Sequence, residues 1–369
     1  MRCLLVRLAP LAVLVTAASA QPATVSGVVR DAEGGPLPGV SVYLSGTTRG
    51  AAADREGRYR LGAVEPGRYR LVASLLGYTP AVRAVRLAPG AALTLDVVLT
   101  PDTATLAPIT VEAQADRRWQ RHLDRFRRAL IGESSNADSA RILNPEVLDF
   151  RVRWGTLTAT ARAPLVIENR ALGYRLHYDL QAFEASAGEV RYDGDEVFEP
   201  LVPASADQAM RWAAARWRAY RGSAPHLLRA LLDGTAEAEG FTLTLARTDG
   251  YDRVGSEISM PTTGDRLIRR RDGQAWLTVS GRLGVTYHRE AEEPAYLASE
   301  WFAERRARPE SVQRSGLRVE RGSAALDPDG TPLDPFAVST SGYFAFERLA
   351  DRVPRDFLPV APEPSRHVD

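Results

Sequence analysis

The chain has 369 residues, with 47 Lys+Arg, 46 Asp+Glu and a formal net charge of +1. Every basic residue is arginine, which excludes Schiff-base chemistry and lysine general bases. Near-neutrality gives no electrostatic case for a nucleic-acid or anionic-membrane partner.

The chain opens Met1-Arg2-Cys3, followed by an apolar run over residues 4–15 and then Ala18-Ser19-Ala20. A basic start, a dozen apolar residues and an A-x-A site predict a secretory signal peptide over residues 1–20. Cleavage after Ala20 removes the single cysteine. The mature chain is then free of disulfides, zinc-thiolate sites and cysteine nucleophiles. Cys3 is not at the cleavage point, so a lipid anchor is not expected. No later stretch reaches 18 consecutive apolar residues, so no integral membrane segment is expected after cleavage. The expected location is the periplasm or the outer membrane or cell surface.

Residues 22–100 are filled with short alternating runs. Val40, Val42 and Leu44 alternate with Ser41, Tyr43 and Ser45, the period of a half-buried strand. Turn signals recur at Gly34-Gly35, Glu56-Gly57, Pro66-Gly67 and Pro89-Gly90. This spacing predicts a β-sandwich. The stretch from Val25 through Leu87 (VSGVVRDAEGGPLPGVSVYLSG onward) resembles a carboxypeptidase-regulatory-like domain. The resemblance implies a seven-stranded transthyretin-like sandwich that carries no catalytic residues. Such domains accompany zinc carboxypeptidases and front TonB-dependent transporters. The H-x-x-E pair of a zinc carboxypeptidase is absent, since His122, His226 and His288 are followed by Leu-Asp-Arg, Leu-Leu-Arg and Arg-Glu-Ala. The remaining length is too short for a transporter plug and barrel. Residues 101–115 read as a linker, whose segment 106–113 resembles the stretch that follows this domain in such transporters.

Residues 115–131 read as an amphipathic helix, with Trp119, Leu123, Phe126 and Leu130 on one side and Arg117, Arg118, Arg121, Arg125 and Arg128 on the others. Strands are expected at 149–154, 156–161, 165–169, 174–180 and 189–192. Ser205 with Gln208 forms a capping box opening a helix to Tyr220. Gly222 ends it, and Ser223 caps a second short helix containing Leu227, Leu228, Leu231 and Leu232. Short strands return from Phe241, and a proline-rich tail at 359–369 is expected to be disordered. Across residues 116–358, strings such as "APLVIENRALGYRLHYDLQAF" and "GYFAFERLADRVPRDFLP" are similar to envelope proteins of Bacteroidetes-type bacteria with the order signal, regulatory-like sandwich, β-rich domain. That resemblance implies an architecture and no activity. The predicted fold class is therefore mainly β, a transthyretin-like seven-stranded sandwich followed by a β-rich α+β domain with a few amphipathic helices.

Candidate chemistry is sparse. Tyr174 and Tyr178 share one strand face and His177 lies on the other; with Asp179 or Glu184, His177 would serve as a general base. Trp212, Arg216 and Tyr220 recur every four residues and suggest a stacking platform for a sugar or carboxylate, which His226 and Arg229 extend. Core packing explains the same spacings and is the favoured reading. Asp193-Gly194-Asp195 and Asp327-Pro328-Asp329-Gly330 read as acidic turns that calcium would suit, with ordinary turn chemistry favoured. The Asp31 and Asp327 turns share one formula, a common β-turn used twice. No catalytic group, metal site or cofactor is assigned. Tyr174, His177, Trp212, Arg216, Tyr220 and His226 are the candidate binding residues. The expected function is non-catalytic binding or scaffolding of a carbohydrate, peptide or protein partner in the envelope. A hydrolase or peptidase of unrecognised type and an accessory of a TonB-dependent transporter are the alternatives.

Overall fold

The computed structural model describes residues 21–102, 117–247, 258–299 and 306–357. The predicted signal peptide, residues 106–113 and the tail fall outside them. The protein is mainly β, with several sheets and few helices.

The N-terminal unit is a sandwich of two four-stranded sheets closed over one apolar core. The first sheet centres on strand Ala23–Arg30, which pairs antiparallel with Arg58–Val64 and parallel with Ala92–Thr94 and Val97–Val98. The last two are one strand interrupted at Leu95-Asp96, where Asp96 accepts a hydrogen bond from Val28 N–H. With that strand counted once, the sandwich has the expected seven, apart from a two-residue pair between Tyr78–Thr79 and Thr100–Pro101. Strand Arg58–Val64 alternates, burying Tyr59, Leu61 and Val64 and exposing Arg58 and Arg60, whereas in the 40–45 run Tyr43 and Ser45, expected on the outer face, are buried along with Val42 and Leu44.

Residues 117–357 build two further cores. The first lies under a six-stranded sheet. Its strands Leu148–Arg153, Thr156–Ala161 and Leu165–Asn169 match expectation closely. Tyr174–Ser186 and Glu189–Pro200 run much longer than expected because they pair with each other along almost their whole length. Helix α1 (Arg117–Leu130) covers this sheet. Phe126 is fully buried, with ring centroids 4.6 Å from Phe183 and 5.5 Å from Phe150. Of the arginine face, Arg117, Arg118, Arg121 and Arg128 are exposed, whereas Arg125 turns in to donate to Gly155 and Ala185 carbonyls. Helices α2 (Ala206–Tyr220) and α3 (Ala224–Asp233) then form a hairpin. Ser205 caps α2 by accepting from Gln208 N–H, and Gln208 reaches back to Ala204 N–H. Ser223 caps α3 by accepting from His226 N–H. The second core lies between α3 and a five-stranded sheet with a neighbouring three-stranded one.

Of the two acidic segments, one differs from expectation. Asp193-Gly194-Asp195 is mid-strand, and the irregularity falls on the partner strand between Leu180 and Ala182. Asp195 is fully buried, accepting from Gln181 at 2.6 Å and ion-paired with Arg70 at 2.7 Å. Asp327–Gly330 is a turn as expected, built like the one at Asp31. Each closes on an isolated bridge, Arg30 to Pro36 and Leu326 to Pro332. The Arg355 guanidinium occupies the second turn, 2.9 Å from Asp327 and 2.6 Å from Asp329, where a cation would sit.

Arg355 also joins the sandwich to the rest. Its N–H donates to Gly46 O, its guanidinium reaches Arg68 O and it lies 5.3 Å over the Tyr69 ring. Asp356 accepts from both the N–H and the hydroxyl of Thr48. Thr47 forms a parallel bridge with Val197, so a sandwich loop continues the edge of the second sheet.

Candidate functional site

The six singled-out residues lie in three places. Trp212, Arg216 and Tyr174 brace the turn at 170–173. Trp212 Nε1–H donates to Arg170 O at 2.8 Å, and Arg216 donates to Leu172 O at 2.7 Å and Gly173 O at 3.0 Å. The Arg216 guanidinium lies 4.0 Å over the Tyr174 ring. Gly173 has φ +68°, and a Cβ there would sit 2.2 Å from the Trp212 ring, so only glycine fits the approach. The polar atoms of Trp212 and Arg216 are thus spent on backbone carbonyls, holding a turn.

His177 lies on the opposite strand face from Tyr174 and Tyr178, as alternation requires. Its partner is Glu199 on the adjacent strand, 3.2 Å away, and not Asp179 or Glu184. The pair is open to solvent and shares Glu199 with Arg175. An exposed pair of this kind is worth little.

Tyr220 and His226 meet at the hairpin, with ring centroids 4.9 Å apart. His226 is 4% exposed. Gly222 N–H donates to its Nδ1 at 2.9 Å, which places the ring proton on Nε2, and Nε2–H donates to Glu239 Oε2 at 2.6 Å. Gly222 has φ +74°, and a Cβ there would strike Gln313 Oε1 and the Tyr287 ring. Burial lowers the His226 pKa, Glu239 opposing, so the imidazole is neutral at pH 7. Glu239 also accepts from Thr235, leaving both its oxygens engaged. A histidine with both ring nitrogens committed has no lone pair to offer as a base.

Above His226 opens a cleft of about 240 Å³. Tyr220, His226 and Tyr287 form its floor; Trp217, Arg221, Arg229 and Arg289 form its sides, with Asp233 and Glu239 at the edge. Arg221 bonds the Tyr287 hydroxyl at 3.0 Å and reaches Glu290 at 3.5 Å. Arg229 bonds the Tyr220 hydroxyl and Arg355 O, and Arg289 bonds Ala238 O. Sequence spacing found Tyr220, His226 and Arg229. Trp217, Arg221, Tyr287 and Arg289 went unnoticed; Tyr287 ends a strand and Arg289 lies in the bend just beyond it.

A second cavity, of about 250 Å³, lies behind the hairpin and gathers Glu290, Glu293, Glu347 and Asp351 around Arg218, with Ser134, Asn136, Gln313 and Tyr343. Asp351 accepts from Ser134 at 2.7 Å and Asn136 at 2.9 Å, and burial still pushes its pKa up to about 6. Burial pushes Glu290 up to about 7 against the pull of Arg221 and Arg218. Glu347 is raised well above the ordinary range by burial and neighbouring carboxylates. Among the described residues, no group of three or more His, Cys, Asp or Glu is placed to hold a metal ion. Nor is any helix among them long and apolar enough to cross a membrane.

Comparison with known proteins bears mainly on the N-terminal unit. A 94-residue stretch is 35% identical to the TonB-dependent receptor SusC of Bacteroides thetaiotaomicron, covering 26% of this chain and 9% of the receptor. Among solved structures, a putative carbohydrate binding protein from Bacteroides uniformis matches 42% of this chain and 57% of its own at 12% identity and TM-score 0.19. A DUF3823 family protein from Parabacteroides merdae matches 72% and 91% at 9% identity and TM-score 0.18. The minor pilin GBS52 of Streptococcus agalactiae matches 23% and 47% at 18% identity and TM-score 0.20. Scores this low carry no argument about function. The family model described as a carboxypeptidase regulatory-like domain matches residues 24–100, and that stretch of the chain is such a domain.

Proposed function

We propose that the protein is exported to the cell envelope and acts there as a non-catalytic binding or scaffolding protein. In this reading the sandwich is the docking module and the cleft beside the hairpin is the ligand site. One observation carries the reading. The best-placed histidine is locked between Gly222 and Glu239, while the aromatic and arginine side chains above it line an open cleft. A hydrolase would need a histidine in reach of both a carboxylate and a hydroxyl. Among the described residues, the ring nitrogens of His226 meet the Gly222 N–H and the Glu239 carboxylate, His177 meets the Glu199 carboxylate and His288 the Thr242 hydroxyl.

The reading is tested by cross-linking in the native envelope followed by affinity purification. Amine-directed reagents have no lysine to react with in this chain. Photo-reactive or carboxylate-directed chemistry is therefore required. Reproducible capture of an envelope protein or polysaccharide is the expected result, and hydrolysis of a captured polymer by the purified chain would replace the reading with an enzymatic one. A second reading, an accessory role beside a TonB-dependent transporter, is favoured by the 94-residue match to SusC. It expects the transporter itself among the captured proteins.

A further inference from the structure

Resting on that reading of the cleft, we infer that its ligand is a single-ring organic acid, held by its carboxylate on Arg229 and Arg289 with the ring against Tyr220 and Trp217. Size sets the first limit. About 240 Å³ falls below the roughly 300–1,000 Å³ of drug-sized sites, room for one ring and its substituents.

Charge sets the second. Three guanidiniums line the cleft, and among the described residues only Arg221 has a carboxylate within ion-pair distance, Glu290 at 3.5 Å. Arg229 and Arg289 donate to uncharged oxygens: the Tyr220 hydroxyl and two backbone carbonyls. The two acidic residues of the lining offset part of this charge, Glu239 acting on Arg289, but neither is within ion-pair distance of Arg229 or Arg289. Glu239 is held on both oxygens by His226 and Thr235, and Asp233 is an exposed edge residue. A guanidinium offers five donors in a fork that matches a carboxylate. Arg229, half-buried over the Tyr220 ring, and Arg289, exposed at the rim, bring two such forks to the cleft lining, a pair suited to an anion.

Shape sets the third. Arg229 lies 5.4 Å over the Tyr220 ring and Arg221 lies 5.8 Å over the Trp217 ring. The aromatic faces and the cations therefore share one wall. A ligand pairing with the arginines brings its own ring onto those faces, adding apolar contact to the ion pair. A neutral ring gains only the second contact.

The experiment is calorimetric titration of the full chain with D-galacturonate, benzoate and neutral D-galactose at low salt. At least one acid is expected to bind with a Kd near or below about 1 mM, at least about tenfold tighter than galactose. Whether galacturonate or benzoate binds better distinguishes a sugar acid from an aromatic acid. Arg289→Gln is expected to weaken acid binding about tenfold, and 0.5 M salt to weaken it further. Arg229 also bonds Arg355 O, so Arg289→Gln, whose guanidinium holds one backbone carbonyl, is the cleaner variant. Its thermal melt is expected to match the parent. Equal binding of galactose and galacturonate overturns the inference. So does undiminished acid binding in Arg289→Gln, or no heat with either acid at 10 mM. If neither acid binds while cross-linking still captures a partner, the inference falls and the binding reading stands. If both experiments are blank, both fall.

Discussion

Two cavities of nearly equal size lie on either side of the helical hairpin and carry opposite charge. The outer cleft gathers arginines and aromatic rings, and the inner cavity gathers carboxylates, hydroxyls and a single arginine. Arg221 and Glu290 join them, one from each lining. The physical contrast is in how each charge is tolerated. Guanidinium does not lose its proton, so the cleft must spread its charge over ring faces and backbone oxygens. A crowded carboxylate has another route, taking up a proton, and the raised pKa values of Asp351, Glu290 and Glu347 record that response. The cleft thus keeps its charge for a ligand, whereas the cavity sheds charge as the solution acidifies.

The largest test of this contrast acts on the segment both cavities share. Arg355 braces the cleft through its carbonyl to Arg229, and the cavity takes Asp351 from the same segment. Arg355→Ala would leave Asp327 and Asp329 unpaired, a loss of roughly 3–5 kcal/mol by the precedent of broken buried pairs. Urea denaturation should show it, and a loss below about 1 kcal/mol would mean that the two acids find other partners.

Next is the pH response of the cavity. Raised carboxylate pKa values give stability that is fully present below the unfolded value near 4. It is lost as pH rises through about 6 for Asp351 and about 7 for Glu290. Unfolding free energy should fall by about 3 kcal/mol between pH 4.5 and 8, allowing for solvent screening of these groups. Denaturation midpoints measured across that range would check it, and Glu290→Gln should flatten the slope. A level profile would break the contrast.

The cleft responds with the opposite sign. His226 has a lowered pKa in the folded chain, so its contribution is present above the unfolded value near 6.5 and lost as pH falls below it. His226→Ala should cost about 2 kcal/mol at pH 7.5 by leaving Gly222 N–H and Glu239 without their partner. Its cost should shrink at pH 5, which paired denaturation curves would reveal. A smaller loss, about 1 kcal/mol, is expected for Ser223→Ala, which removes the cap of α3 between the two cavities. Replacing His177 by Gln belongs to neither cavity and should change the melting midpoint least, by an amount equivalent to less than about 0.5 kcal/mol.

Legibility in the sequence followed how local each feature is. The sandwich is written in period-two runs such as 40–45 and in turn glycines, so both its strands and its family resemblance were readable. The hairpin was equally plain, because Ser205, Gln208, Gly222 and Ser223 act within a few positions of where they stand. Long pairings were not. The acidic triplet at 193–195 looks like a turn in isolation, yet twelve residues of strand carry it past Tyr174–Ser186. The every-fourth-residue platform misled for a geometric reason. Four residues advance a helix by about 400°, so the run from Trp212 to Tyr220 drifts about 80° around the axis. Trp212 and Arg216 consequently meet the turn at 170–173 while Tyr220 meets His226. The acidic cavity was invisible because Ser134, Glu290, Gln313 and the Glu347–Asp351 segment come from separate stretches, each unremarkable alone.

The junction at Thr47, Arg355 and Asp356 has a mechanical consequence. The sandwich is held by a strand bridge, a guanidinium seated between two aspartates and a bonded threonine, rather than by a pliant tether. A partner gripping the sandwich would therefore also aim the cleft, with the first domain as a handle for the rest of the molecule.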